Sequence, residues 1–153
     1  MAQPDEDAKP GADVLVRAFR EADRTALRAV FLLSRRQAFH FLVDKHYALT
    51  DFDHATAGED VWVAEIGDEV VGFASVWAED SFVHNLFVHP DHAGRGAGTA
   101  LLARLARHYA PPLTLKCLKE NTPALRFYRR LGWYVESDGI GSDGEYFDLS
   151  FHP

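Results

Sequence analysis

The chain has 153 residues, a formal net charge of −7, 47% hydrophobic residues and 12% aromatic residues. That length suits a single domain with a substantial buried core, and the acidic balance argues against nonspecific nucleic-acid binding. A single cysteine, Cys117, excludes an internal disulfide framework and fits a reducing compartment, and no apolar run approaches the length of a membrane span.

In chain order, residues 1–11 carry Pro4, Asp5, Glu6, Asp7, Pro10 and Gly11 and read as a disordered leader, which leaves 12–153 as one domain. The start is acidic and polar, unlike a signal peptide, so a cytoplasmic protein is expected. Asp13–Phe19 reads as a short strand. Arg20–Val43 reads as helical, with apolar Leu27, Val30, Phe31, Phe39, Leu42 and Val43 and a break near Ser34–Gln37. Asp51–Asp60 is polar and loop-like. Val61–Ile66 and Val70–Trp77 flank Gly67-Asp68-Glu69 as a hairpin. Phe82–Val88 is the next strand and Ala97–Tyr109 an amphipathic helix, with Leu101, Leu102 and Leu105 inward and Arg104 and Arg107 outward. Pro111-Pro112 stops that helix. Leu113–Leu118 is a strand. Thr122–Leu131 is a helix with Pro123 in its first turn and Gly132 as its stop. Trp133–Ser137 and Glu145–Phe151 form a closing hairpin around 138–144. The order β-α-α-β-β-β-α-β-α-β-β predicts an α/β sandwich with a mixed, largely antiparallel sheet.

The segment most informative about chemistry is Leu86-Phe87-Val88-His89-Pro90 followed by Gly94-Arg95-Gly96-Ala97-Gly98-Thr99. Glycines at 94, 96 and 98 bare the backbone N–H groups just where a helix opens with unpaired amides and the positive end of its dipole. Such a place suits a phosphate or pyrophosphate, although a tight structural turn reads equally well from these residues alone. The dinucleotide fingerprint G-x-G-x-x-G fails from either Gly94 or Gly96, and the triphosphate loop fails because no Gly-Lys pair exists.

Together with Asn121-x-x-Ala124-x-x-Phe127-Tyr128-x-x-x-Gly132-Trp133, this segment resembles the GNAT N-acetyltransferase superfamily in order and spacing. The resemblance covers 61–137 closely. Ala93 departs from it, standing where the family's loop carries Gln or Arg. The resemblance implies helices on both faces of the sheet and two central strands that splay apart, here Phe82–Val88 and Leu113–Leu118. It implies acetyl-CoA as cosubstrate. The pantetheine arm would add to the backbone of Leu86, Phe87 and Val88 as an extra strand, with pyrophosphate on the amides of 94–99 and Asn121 holding the pantetheine. Arg95 and Arg104 are further candidates for the phosphates.

Acetyl transfer to an amine needs a proton acceptor, a stabilised oxyanion and a proton for the leaving thiolate. Tyr128 matches the family's tyrosine near the cofactor sulfur and is the candidate acid, with core packing as the alternative. His84 lies where many members carry Glu and is the candidate base, since imidazole titrates in the useful range. Strand alternation would put it on one face with Phe82, Leu86 and Val88. A pocket-lining His84 with no proton to move fits the residues equally well. Asp80, Ser81 and Glu79 are weaker candidates for the amine pocket, and Trp62, Trp77 and Phe39 read first as core. His84, His89 and His92 do not share a face at zinc spacing, so no metal is expected. Cys117 reads as a small buried hydrophobe more than a nucleophile.

The expected activity is N-acetylation of a primary amine on a small molecule or peptide by direct attack in a ternary complex. A non-catalytic acyl-CoA-binding domain on the same fold is the alternative. Partners expected are the amine acceptor, without nucleic acid or membrane, in a monomer or homodimer.

Overall fold

The computed structural model describes residues 13–153, so the leader predicted over 1–11 lies outside the described residues. The elements are β1 (Val14–Ala18), α1 (Arg24–Ala38), α2 (Asp51–Ala55), β2 (Asp60–Ile66), β3 (Glu69–Trp77), β4 (Phe82–Val88), α3 (Ala97–His108), β5 (Leu113–Leu118), α4 (Thr122–Arg130), β6 (Tyr134–Gly141) and β7 (Gly144–Phe151). One seven-stranded sheet runs β1-β2-β3-β4-β5-β7-β6. Every neighbouring pair is antiparallel except β4–β5, which is parallel. The predicted mixed sheet is therefore observed, with the seven strands and the helices α1, α3 and α4 in the predicted order.

Alternation along each strand feeds two cores. Trp62, Ala64, Val83, Leu86 and Val88 pack with Leu101, Leu105, Phe127 and Tyr128 of α3 and α4. Val63, Phe73 and Phe87 face the other way and pack with Leu27, Val30 and Phe31 of α1 and Phe52 of α2. The helices thus cover both faces of the sheet.

Three expectations are corrected. The helix over 24–38 has no break at Ser34, because Ser34 continues the buried stripe of Leu27, Val30 and Phe31. Its hydroxyl lies 2.5 Å from the Val30 carbonyl and 2.9 Å from the Val88 carbonyl, so the buried polar group is satisfied without disturbing the helix. The helix ends at Ala38, well before Val43. Residues 51–55, expected as loop, form α2. Its polar residues latch it to α1: Asp53 bonds Arg24 and Arg28, each at 2.7 Å, and Asp51 bonds Arg35 at 3.1 Å. Five residues are too few for a helical period to register in sequence. The closing hairpin is longer than expected, with strands reaching Gly141 and Gly144.

Phe52 anchors α2. It is 1% exposed and meets the rings of Phe31, Phe73 and Phe19 at centroid distances of 6.5, 5.1 and 6.3 Å. Phe52→Ala should lower the unfolding free energy in urea by about 3–5 kcal/mol. A loss under 1 kcal/mol would mean that α2 rides on the surface and contributes nothing to the core.

Candidate active site

Strands β4 and β5 share one residue pair, Phe82 with Thr114, reinforced by the Thr114 N–H donating to the Ser81 carbonyl at 3.1 Å. Beyond it they part: Leu115–Leu118 pair only with β7, and Val83–Val88 only with β3. The splayed strands expected from the family resemblance are present.

The phase of the β3–β4 ladder decides which backbone groups face the gap. The His89 N–H donates to the Val71 carbonyl at 2.7 Å, and opposed residues alternate between bonded and non-bonded pairs. Phe73–Phe87 is then a bonded pair, whereas Ala74–Leu86 and Gly72–Val88 turn their N–H and C=O groups away from each other. A Cβ on Gly72 would stand 2.8 Å from the Phe87 carbonyl, which agrees with that carbonyl pointing into the ladder. The expectation that Phe87 offers its backbone to a ligand is therefore corrected, because β3 already uses it. Leu86 and Val88 carry the gap-facing groups, and the Val88 carbonyl has the Ser34 hydroxyl beside it.

The glycine loop divides into two jobs. Gly94 and Gly96 have φ of +78° and +91°, a region in which a side chain is strained, and Gly96 is the residue from which α3 starts. The first intrahelical bond runs from Ala100 N–H to Gly96 C=O at 2.9 Å, so the amides of Ala97, Gly98 and Thr99 precede it. Gly98 has a packing reason as well: a Cβ there would lie 3.1 Å from Phe127 Cζ. Arg95 is half-buried in the loop. Arg104 points elsewhere, its guanidinium 4.8 Å over the ring of Trp62.

Two buried polar groups on the α4 side have no partner among the described residues. Asn121 caps α4 through its Oδ1, which accepts the Ala124 N–H at 3.4 Å, but its buried Nδ2 bonds nothing. The hydroxyl of Tyr128, a residue with 0% exposure packed against Phe127 and Trp133, is likewise unpaired. Burial holds the Tyr128 phenol well above its ordinary pKa, with Cys117 adding to the shift, so it keeps its proton at neutral pH. Burial also pushes the Cys117 thiol up to about 11, which leaves too little thiolate for a nucleophile.

On the opposite face of the gap lies a cleft of about 490 Å³. Phe31, Arg35 and Phe39 wall it from one side, His84 and Phe87 floor it, and Lys116 and the hairpin turn at 140–144 close the other side. His84 does not share a face with Leu86 and Val88 as expected. The register between β3 and β4 slips, pairing Ser75 with Asn85 and Val76 with Val83, so His84 is an extra residue. This bulge resets the alternation, and Val83 and Leu86, three apart, enter the same core. His84 stays with Phe82, its ring 6.2 Å away and stacked.

His84 has a partner that the sequence did not suggest. Its Nδ1 lies 2.8 Å from Glu59 Oε2; Glu59 is 9% exposed at the side chain, His84 46%. The two are 25 residues apart, and nothing local in the sequence couples them. The remaining expectations sort as follows. Phe39 lines the cleft. Trp62 is core, donating to the Tyr109 hydroxyl at 2.8 Å, and Trp77 is 41% exposed. Ser81 is structural, its hydroxyl on the Ala110 carbonyl at 2.7 Å, and Asp80 lines a separate groove with Phe82 and Thr114. The net charge of −7 does not carry into the cleft. There Asp143 is paired with Lys45 at 2.6 Å, while Lys116 sits over the Tyr146 ring at 4.5 Å and donates to its hydroxyl at 3.3 Å.

Residues 23–133 match the acetyltransferase (GNAT) family. The chain belongs to this family. Among similar curated proteins, the peptidyl-lysine N-acetyltransferase YiaC of Escherichia coli is 32% identical over 83 residues, which span 54% of this chain and 56% of that protein. The L-amino acid N-acyltransferase MnaT of Escherichia coli is 32% identical over 124 residues, 71% of this chain and 72% of that one. The first of these is matched over little more than half its length. The GNAT fold is also that of apo YjaB from Escherichia coli, at a TM-score of 0.75 and 23% identity, covering 91% of this chain and 97% of that one. Salmonella typhimurium yncA, solved with acetyl-CoA, has a TM-score of 0.66 at 20% identity, covering 91% and 93%. No helix among the described residues is long and apolar enough to cross a membrane.

The residues present fit acetyl-CoA on the molecule's own evidence. Bare amides open α3, gap-facing strand groups lie at Leu86 and Val88, and the enclosed Asn121 Nδ2 and Tyr128 hydroxyl lack partners among the described residues. An unpaired buried hydroxyl costs about 1–3 kcal/mol. Tyr128→Phe should therefore raise the melting temperature of the ligand-free protein by roughly 2–12 °C. A lower melting temperature would show that the hydroxyl is satisfied within the fold.

Proposed function

We propose that the chain is an acetyl-CoA-dependent N-acetyltransferase that modifies a primary amine of a small molecule or peptide by direct attack, with both substrates bound together. The observation that carries this reading is the parted β4–β5 pair, which has the unpaired Asn121 amide and Tyr128 hydroxyl on one side and the His84 cleft on the other. The amides of 94–99 would hold the pyrophosphate, Leu86 and Val88 the pantetheine amides, and Asn121 its arm. The thioester supplies the acetyl group. His84 would take the amine proton as the C–N bond forms, and Tyr128 would protonate the sulfur as the C–S bond breaks. The raised pKa of Cys117 supports direct attack over an acyl-cysteine route. The similar proteins are named for peptidyl lysine and L-amino acids, and both present a primary amine. Against a non-catalytic acyl-CoA-binding domain stands Glu59, whose carboxylate lies 2.8 Å from the His84 ring.

A panel of polyamines, amino acids, aminoglycosides and peptides, incubated with acetyl-CoA and read by free-thiol release, tests the activity. With the best acceptor, Tyr128→Phe should keep acetyl-CoA affinity by calorimetry and lower kcat by roughly 10²–10⁴-fold. Wild-type turnover with chemistry rate-limiting would assign Tyr128 to packing alone. His84→Gln should remove the rising limb of kcat/KM against pH. A limb that survives, and that moves when acceptors of different pKa are exchanged, belongs to the acceptor and ends the general-base assignment.

A further inference from the structure

We infer that Glu59 is a positioning residue that sets the tautomer and orientation of His84, so that the imidazole presents a free Nε2 to the cleft. This rests on the reading of His84 as base and extends it to a residue outside the family's motif. Glu59 immediately precedes β2. Asp60 pairs with Val76 of β3, and Val76 pairs with Val83 of β4. Neighbouring strands are about 4.8 Å apart, so a carboxylate at the entrance to β2 must reach across β3 to meet a side chain of β4. The bulge at His84 turns the imidazole toward it, and the contact closes at 2.8 Å.

Two observations separate this pair from a surface ion pair. Glu59 is enclosed while His84 is open, 9% against 46% exposed at the side chains. In addition, Glu59 Oε1 is buried without a partner, so among the described residues the imidazole is the only hydrogen-bonding partner of the carboxylate. A carboxylate so confined favours a proton on the facing nitrogen. Nδ1–H then donates to Glu59, and in the neutral ring the lone pair is on Nε2. Asn85 lies beside Nδ1 at 3.3 Å and gives its amide to the Ser75 hydroxyl at 2.8 Å, which fixes the ring's neighbour. Other charged or titratable groups line the same cleft. Arg35 of α1 is tied to Asp51, and Asp143 of the hairpin turn is tied to Lys45; Lys116 of β5 and Tyr146 of β7 lie against each other. None of these has a hydrogen bond to His84.

The proton balance is simple. As the acceptor nitrogen bonds the acyl carbon, its proton goes to Nε2, the Nδ1 proton stays in place, and the Glu59 carboxylate offsets the imidazolium charge without taking a proton. The imidazolium then returns its proton to solvent through the exposed ring, while the thiolate takes the Tyr128 phenol proton, which solvent then replaces.

Glu59→Gln keeps the size and an acceptor oxygen but removes the charge. In this variant kcat/KM for the amine should fall by roughly 10–100-fold, part of what a positioned base supplies. The KM for acetyl-CoA should not change. Glu59→Asp, which keeps the charge at shorter reach, should return part of the rate. Nitrogen-15 NMR of His84 reads the tautomer without turnover: Nδ1–H in the wild type, a shift toward Nε2–H in Glu59→Gln. An unchanged tautomer in Glu59→Gln overturns the pairing. If His84→Gln abolishes turnover and Glu59→Gln leaves kcat/KM at the wild-type value, the pairing fails and the base reading stands. If turnover survives His84→Gln, the base reading itself fails.

Discussion

Parallel strands that begin from one shared pair and then diverge leave two rows of backbone donors and acceptors without a ladder. In a folded core such groups are costly unless they find partners. Here that cost is confined to the gap between β4 and β5, which starts at Phe82–Thr114. The β3–β4 register sets which groups are bared, and the β5–β7 pairing keeps β5 in place without β4. The sheet can tolerate an internal opening because each half has its own partner strands and helices cover both faces.

That cover also divides the chemistry. On the α3 and α4 side, buried apolar packing surrounds Asn121 and Tyr128 and leaves their polar atoms unpaired. On the α1 and α2 side, aromatic packing stops short of the strands, and a cleft remains over His84. At Tyr128 the unpaired hydroxyl is a liability to the fold, and in the proposed reaction the same group would protonate the leaving thiolate. The bulge at His84 performs a comparable service on the other face. A regular strand would have placed that imidazole with Leu86 and Val88 in the core, and one extra residue instead delivers it to the cleft beside Glu59.

The strands at Phe82–Val88 and Leu113–Leu118 were legible to the residue, because each is an apolar run bounded by turn-forming residues or prolines. The helix after Gly96 and the helix opening at Thr122-Pro123 were legible for the same reason: glycine and proline act within a few residues. What escaped was non-local. Helix α2 exists because Phe52 is buried against Phe31 and Phe73 and because two aspartates meet arginines of α1. The continuous α1 depends on Ser34 finding carbonyls within its own turn and on β4.

The sequence by itself determined the order of the strands and of α1, α3 and α4, the mixed sheet, the amide-rich start of α3 and the membership signalled by its two motifs. Those depend on periodicity and on residues that act on their own backbone. Only the tertiary structure decided that Phe87 spends its backbone on β3 while Leu86 and Val88 face the gap. It alone placed His84 on the cleft side, and it alone brought Glu59 across a whole strand to the imidazole. Each of these follows from the register between strands distant in sequence, where a one-residue slip exchanges the two faces of the sheet.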